Sequence, residues 1–384
     1  NDISAMSRLH RSASAQMSRP AISIQKSGGW TFGSPSVLMM FYRAPGELQS
    51  ELQEMDECMP HYYKITNGHG QGAETIMRAE ADFMRACFAD AQIMLERAYA
   101  QIDGNGQENM ALCCDFLAWR LSLCTSFTPR ESFEQRREAL LGLHNVAWLN
   151  ILQSSCAYYY ALLGLPEKIP AVFREHQLAS IHFLAPGKPM MELIENQVYL
   201  AQGEYAKVIG HSEALLGMCE AMHYALVALH IRLQTAAAYE MLGKRETADE
   251  LLISALAAAE PDALYLPFVE NYRYLKTALT RGAGAKFAAF VRTVTPLGED
   301  FVRRCGEKRA EGSRPAALAG LTERESAIAA LVAKRLSNRE IAEQLFLSEG
   351  SVKQYINQIY SKLLITGDVR TKRKRLAELA APKS

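Results

Sequence analysis

Lys353, Gln354 and Asn357 are the residues whose types and spacing best suit a defined chemistry. Asn357 follows Lys353 by four positions and Gln354 by three, so on a helix the three share one side. Lysine donates to guanine O6 and N7, and a glutamine or asparagine amide pairs with adenine N6 and N7, so this side is equipped to read base edges. Ser351 and Lys362 lie beside it. A solvated helix face is also polar, and the assignment therefore rests on the elements that hold these residues in place.

Those elements have marked beginnings. Thr322-x-x-Glu325 and Ser337-x-x-Glu340 are capping boxes, in which the hydroxyl satisfies an orphan N–H at the helix start and the glutamate reaches back to the cap. Ser348 offers a third N-cap, and Val352, Ile356, Ile359 and Leu363 follow it as one apolar stripe. The helix expected over Asn338 to Leu345 turns Ile341, Ala342 and Leu345 inward, and only "FLS" separates it from the next. So short a connection makes the second helix cross the first steeply, as in a helix-turn-helix. The first then braces the second so that its outer face can lie in a major groove. Charge agrees: the chain is neutral, with 42 Lys and Arg against 42 Asp and Glu, yet residues 321–384 hold 12 against 7. A basic terminal domain is the electrostatic footprint of nucleic-acid binding.

The segment Leu321 to Leu363, "LTERESAIAALVAKRLSNREIAEQLFLSEGSVKQYINQIYSKL", resembles the LuxR-type helix-turn-helix family. That pattern runs L-T-x-R-E, S-N-x-E-I-A, T-V-K and I-Y-x-K-L. It departs at four places: Arg335 stands where the family usually has glycine, Ser351 replaces threonine, Tyr355 replaces histidine, and Leu364 replaces the glycine after K-L. The resemblance implies a small four-helix domain that binds double-stranded DNA, with Lys353, Gln354 and Asn357 toward the bases and Ser337, Arg339, Ser351 and Lys362 toward phosphates. Phosphate contacts position a protein and base contacts specify the sequence. It also places a dimer contact on the last helix, about Val369 to Ala380, where the run Lys372 to Arg375 would repel across a symmetry axis and suits the DNA backbone better.

Upstream, residues 73–300 read as helix after helix, rich in Ala, Leu, Glu, Gln and Met. "YALLG" at Tyr160, "YLAQG" at Tyr199 and "YEMLG" at Tyr239 repeat a Tyr-x-x-x-Gly at intervals of 39 and 40 residues, each followed by a second amphipathic helix. A fixed period of this size marks stacked helical hairpins. Each glycine suits the left-handed turn that ends a helix. Two periods before Gly164 lies Ala86, in a degenerate repeat without the glycine. The expected fold is all-α: a tetratricopeptide-like solenoid, with tyrosines that pack between hairpins, then the helix-turn-helix domain. Residues 1–72 are expected to be an irregular lead-in, 301–319 a linker and 320–384 the DNA-binding domain.

The combination resembles MalT-like regulators, in which an ATP-binding switch domain precedes the solenoid. The resemblance implies a cytoplasmic transcriptional regulator whose repeats receive a small-molecule or protein effector. Such a protein would act as a homodimer or oligomer on DNA and touch RNA polymerase. It needs no cofactor in this chain; ATP would enter only through a missing N-terminal domain, the chain starting at Asn1 like a fragment. The alternative is a fragment of a larger ATP-dependent signal-transduction regulator whose solenoid serves mainly as a scaffold.

Other chemistries find little support. Gly28 and Gly33 are spaced as in a phosphate loop, but Ser34 stands where its lysine belongs and Pro35 where a hydroxyl would hold magnesium. "NGHGQGAET" at Asn67 and "RGAGAK" at Arg281 read as turns. No paired carboxylates, nucleophile elbow or metal-ligand spacing points to an enzyme or a metal site. The eight cysteines lack C-x-x-C spacing and read as reduced, buried thiols. No apolar run is long enough for a membrane span.

Overall fold

The computed structural model describes residues 3–19, 34–104, 106–181, 185–282, 286–312, 318 and 320–380. Among them the only regular structure is helix, with no strand, and the chain divides into one unit of residues 1–305 and a second of 306–384. Gly28, Gly33 and residues 283–285 of the "RGAGAK" turn lie outside the described residues. Among the described residues, no helix is long and apolar enough to cross a membrane.

The three Tyr-x-x-x-Gly segments of the larger unit close their helices identically. Gly164, Gly203 and Gly243 have φ of 71°, 79° and 75°. The following N–H groups, of Leu165, Glu204 and Lys244, donate back to the carbonyls of Tyr160, Tyr199 and Tyr239 at 3.0, 2.9 and 2.9 Å. That is the Schellman closure, which satisfies carbonyls a helix end would leave orphaned. Ala86 adopts the same conformation at φ 59°, and Cys87 N donates to Asp82 O at 2.8 Å.

Each closure hands the chain to a partner helix, and the two members of a hairpin are buried differently. Lys188–Gln202 and Ala225–Met241 are buried along most of their length. Tyr205–Met222 and Arg245–Ala259 bury single stripes, such as Val208, Leu215 and Cys219. The first helix of each hairpin therefore lies inside and the second covers it. A glycyl loop expected to be a plain turn is self-satisfied: Gly70 N donates to Gln107 Oε1 at 3.0 Å, and Gln107 Nε2 donates to Gly68 O at 2.7 Å.

Two expected boundaries need correction. Residues 1–72 are not simply irregular: they contain helices Ile3–Gln16 and Leu48–Thr66. The second buries Leu48, Leu52, Met55, Met59, Tyr62 and Thr66, an uncapped stripe at helical spacing that tolerates Pro60. Ahead of the second helix, Val37 to Tyr42 belong to the core, all at most 4 % exposed. Likewise, the expected linker begins inside the helix Ala288–Gly312, whose apolar side carries Val294, Phe301 and Cys305.

A buried ion pair ties distant parts of this unit together. Arg120 Nε and Nη2 donate to Glu270 Oε1 and Oε2 at 2.8 and 3.1 Å, and Tyr158 Oη donates to Glu270 Oε2 at 2.8 Å. The rings of Phe83 and Phe116 flank the guanidinium. A buried charge pair of this kind fixes geometry more than it adds stability. Six of the eight cysteines are buried, Cys87 and Cys156 partly so, and all eight are free thiols.

Glu80, near this pair, accepts from Leu38 N at 2.7 Å. Burial pushes its carboxyl up to about 7, against the lowering effect of the Leu38 and Ser36 hydrogen bonds and of Arg120. The folded group holds its proton more tightly than the unfolded chain does. Its contribution to stability is therefore full below the unfolded value of 4.5 and is lost as pH rises through about 7. Glu51, which accepts from Arg43 N at 2.8 Å, is likewise pushed up to about 7 by burial. Between pH 5 and pH 8 the thermal midpoint of the wild-type protein is expected to fall relative to that of Glu80→Gln, with buried His230 working in the opposite direction in both. An unchanged profile in the variant contradicts the assignment.

Candidate nucleic-acid interface

The smaller unit is built from helices Glu323–Ala333, Asn338–Leu345, Glu349–Lys362 and Val369–Ala380. Both capping boxes form. Thr322 N donates to Glu325 Oε2 at 2.8 Å and Glu325 N to Thr322 Oγ1 at 3.3 Å; Ser337 N donates to Glu340 Oε2 at 2.7 Å and Glu340 N to Ser337 Oγ at 3.3 Å. Ser348 Oγ caps the third helix by accepting from Ser351 N at 3.0 Å. Phe346 to Ser348 make the whole connection between the second and third helices, with Phe346 left-handed at φ 52°.

On Glu349–Lys362, Val352, Ile356 and Ile359 are buried in a core with Ile328, Ile341 and Leu376. The opposite side carries Lys353, Gln354 and Asn357, all exposed. Among the described residues, these three side chains make no hydrogen bond or ion pair, so they stand ready for an outside partner. The proposed phosphate-facing residues are arranged differently. The Ser337 hydroxyl serves as a cap, Ser351 Oγ lies 2.8 Å from Ser348 Oγ, and Arg339 Nε donates to Glu343 Oε1 at 3.1 Å with both side chains exposed. An exposed pair of this kind is weak and easily exchanged for a phosphate.

Lys362 has a partner that sequence reasoning missed. Its ammonium donates to Glu325 Oε2 at 2.7 Å, and Glu325 is only 3 % exposed. Burial by itself raises that carboxyl, but the hydrogen bonds from Lys362 and Thr322 outweigh burial and hold it below the ordinary glutamate value. Two arginines also brace the unit. Arg324 Nη2 donates to Leu345 O at 3.0 Å, at the end of the second helix. Arg373 Nη1 and Nη2 donate to Asn338 Oδ1 and Leu336 O at 2.7 and 2.6 Å, fixing the last helix to the start of the second. Nothing local signals these contacts; only the T-x-x-E and K-L spacing hints at the first.

Two of the departures from the family pattern fall at left-handed residues. Arg335 has φ 64°, with Leu336 N donating to Leu331 O at 3.3 Å; Leu364 has φ 52°, with Ile365 N donating to Tyr360 O at 2.9 Å. The helix before Leu364 therefore ends by the closure glycine favours, although its glycine is gone.

With this geometry established, comparison with known proteins places the unit. Residues 319–373 match the family model of the bacterial regulatory proteins of the luxR family, GerE. Over 63 residues, 15 % of this chain and 29 % of the relative, the sequence is 41 % identical to the transcriptional regulatory protein LnrK of Bacillus subtilis (strain 168). Over 46 residues, 12 % of this chain and 21 % of the relative, it is 39 % identical to the DNA-binding transcriptional activator DevR/DosR of Mycobacterium tuberculosis (strain ATCC 25618 / H37Rv). The chain thus spans less than a third of the length of these relatives. No solved structure matches it. The C-terminus carries a LuxR-type helix-turn-helix domain.

Restoring glycine at either left-handed position should stabilise this domain, because an L-residue there costs about 1 kcal/mol or more. Leu364 is 84 % exposed and contributes little packing in return. Leu364→Gly is expected to raise the domain's denaturant midpoint by an amount equivalent to about 1 kcal/mol, and Arg335→Gly to do the same. A lower midpoint in both contradicts the strain argument.

Proposed function

We propose that the protein is a sequence-specific DNA-binding transcriptional regulator. The Glu349–Lys362 helix enters the major groove, and the helical repeats receive an effector or partner signal. The observation that carries this is the helix itself: one side is locked into the domain core, while the other leaves Lys353, Gln354 and Asn357 exposed and unpaired among the described residues. The match of residues 319–373 to a family of bacterial regulators supports the reading.

In this scheme Lys353, Gln354 and Asn357 contact bases. Ser337, Arg339 and Ser351 hold phosphates beside the groove. Lys362 either bridges Glu325 and a phosphate through its ammonium or acts only as a brace. Arg370 and Arg375, exposed on the last helix, add positive surface that suits the DNA backbone. The repeats followed by a LuxR-type domain correspond to the MalT-like arrangement, with assembly into a homodimer or oligomer on promoter DNA and RNA polymerase as the further partner.

The test is quantitative binding to a selected duplex and to its single-base variants. Lys353→Ala and Asn357→Ala are expected to lose roughly 1–3 kcal/mol of discrimination at particular base positions. Equal losses on every DNA sequence would contradict base contact by these residues and leave only an electrostatic role.

A further inference from the structure

Between the helices Lys188–Gln202 and Tyr205–Met222 lies a crevice of about 890 Å³, covered at one side by residues 176–181. That volume suits a small organic ligand. Its walls include Leu178, Ile181, Met191, Leu215 and Met218. Tyr199 lines it too, with His176 stacked on the ring at a centroid distance of 4.0 Å and an angle of 15°. In the midst of this apolar surface stands Glu195, whose side chain is 8 % exposed.

Among the described residues, no lysine or arginine nitrogen lies within ion-pair distance of Glu195. Its nearest candidate, His176 Nδ1 at 3.4 Å, makes no hydrogen bond to it. A buried carboxylate without a donor is costly unless something else supplies one. A second groove, of about 920 Å³, runs beside Tyr42 and Arg43. Its carboxylates Glu213 and Glu220 are exposed rather than buried, and Arg43 is already paired with Glu51 at 3.2 Å.

We propose that the crevice binds a small protonated amine carried on an apolar body, with the ammonium against Glu195 and the body along Met191, Leu215 and Met218. This rests on the reading of the repeats as the signal-receiving part of the protein. A carboxylate ligand would meet Glu195 as a like charge, and a neutral one would leave it unpaired. The other charged or titratable groups about Glu195 are Lys188, Glu192 and Tyr199 on its own helix, His176 on the covering segment, and His211 and Lys207 on the facing helix. Burial pushes Glu195 up to about 7, with Glu192 adding to the rise and Lys207 opposing it. Ionisation of this group favours the cation, so amine affinity rises with pH through that range.

The test is calorimetric titration of the full chain with hexylamine, hexanoate and hexanol. Hexylamine is expected to bind, and hexanoate not to. Glu195→Gln should weaken hexylamine by roughly tenfold or more and abolish the gain in affinity between pH 6 and pH 8. Ala214→Trp, at the exposed rim, should block binding by filling the crevice without disturbing its floor. No hexylamine binding, equal binding of hexanol, or unaltered binding in both variants would overturn the site. If hexylamine binds as described but leaves DNA affinity unchanged, the site stands and the signalling reading of the repeats fails.

Discussion

The arrangement of the DNA-binding domain depends on one buried carboxylate. Glu325 closes the capping box of its own helix through Thr322 and accepts a hydrogen bond from the Lys362 ammonium at the end of the helix Glu349–Lys362, 37 residues away. Because it is buried and charged, removing any one donor leaves a desolvated charge poorly compensated, and that cost holds the two helices at one angle. Arg324 and Arg373 complete the bracing through backbone carbonyls. Among the basic residues, two groups stand out. Lys362, Arg324 and Arg373 hold the scaffold, while Lys353, Arg335, Arg370 and Arg375 remain exposed and without an ion pair among the described residues. The positive field that would draw DNA comes from the second group, and the orientation that would read it comes from the first.

The repeat unit is organised around a different constraint. Its interior is lined by the first helix of each hairpin and closed by the buried segment Val37 to Tyr42, whose Tyr42 carbonyl accepts from Ala225 N at 3.0 Å and whose Leu38 N–H is held by Glu80. Since Val37 to Tyr42 fill that interior, the proposed amine site lies instead in a crevice between an inner helix, Lys188–Gln202, and its covering helix, Tyr205–Met222. Arg120 and Glu270 lock the same core across 150 positions of sequence.

What could be read from the sequence was local. The capping boxes at Thr322 and Ser337, the three-residue turn, and the Tyr-x-x-x-Gly closures are all made by residues within six positions of one another. Composition and spacing suffice to specify them. Arg335 and Leu364 were visible as departures from a pattern, and their positive φ explains why glycine belongs there. The helix Leu48–Thr66 escaped because its N-cap, Glu47, makes no side-chain capping bond and Pro60 interrupts its propensity. Burial against neighbours, not propensity, makes it a helix. The partners of Lys362, Arg373 and Arg120 were beyond reach for the same reason: each is set by packing between elements far apart in the chain.

The most direct measurement of the central claim is selection of bound sites from a random pool of duplex DNA by the folded protein at moderate salt. If the exposed side of Glu349–Lys362 reads base edges, successive rounds will converge on one short motif with fixed preferences at a few adjacent positions. Retention of DNA without convergence, or no retention by a protein shown to be folded, would contradict sequence-specific recognition by this helix.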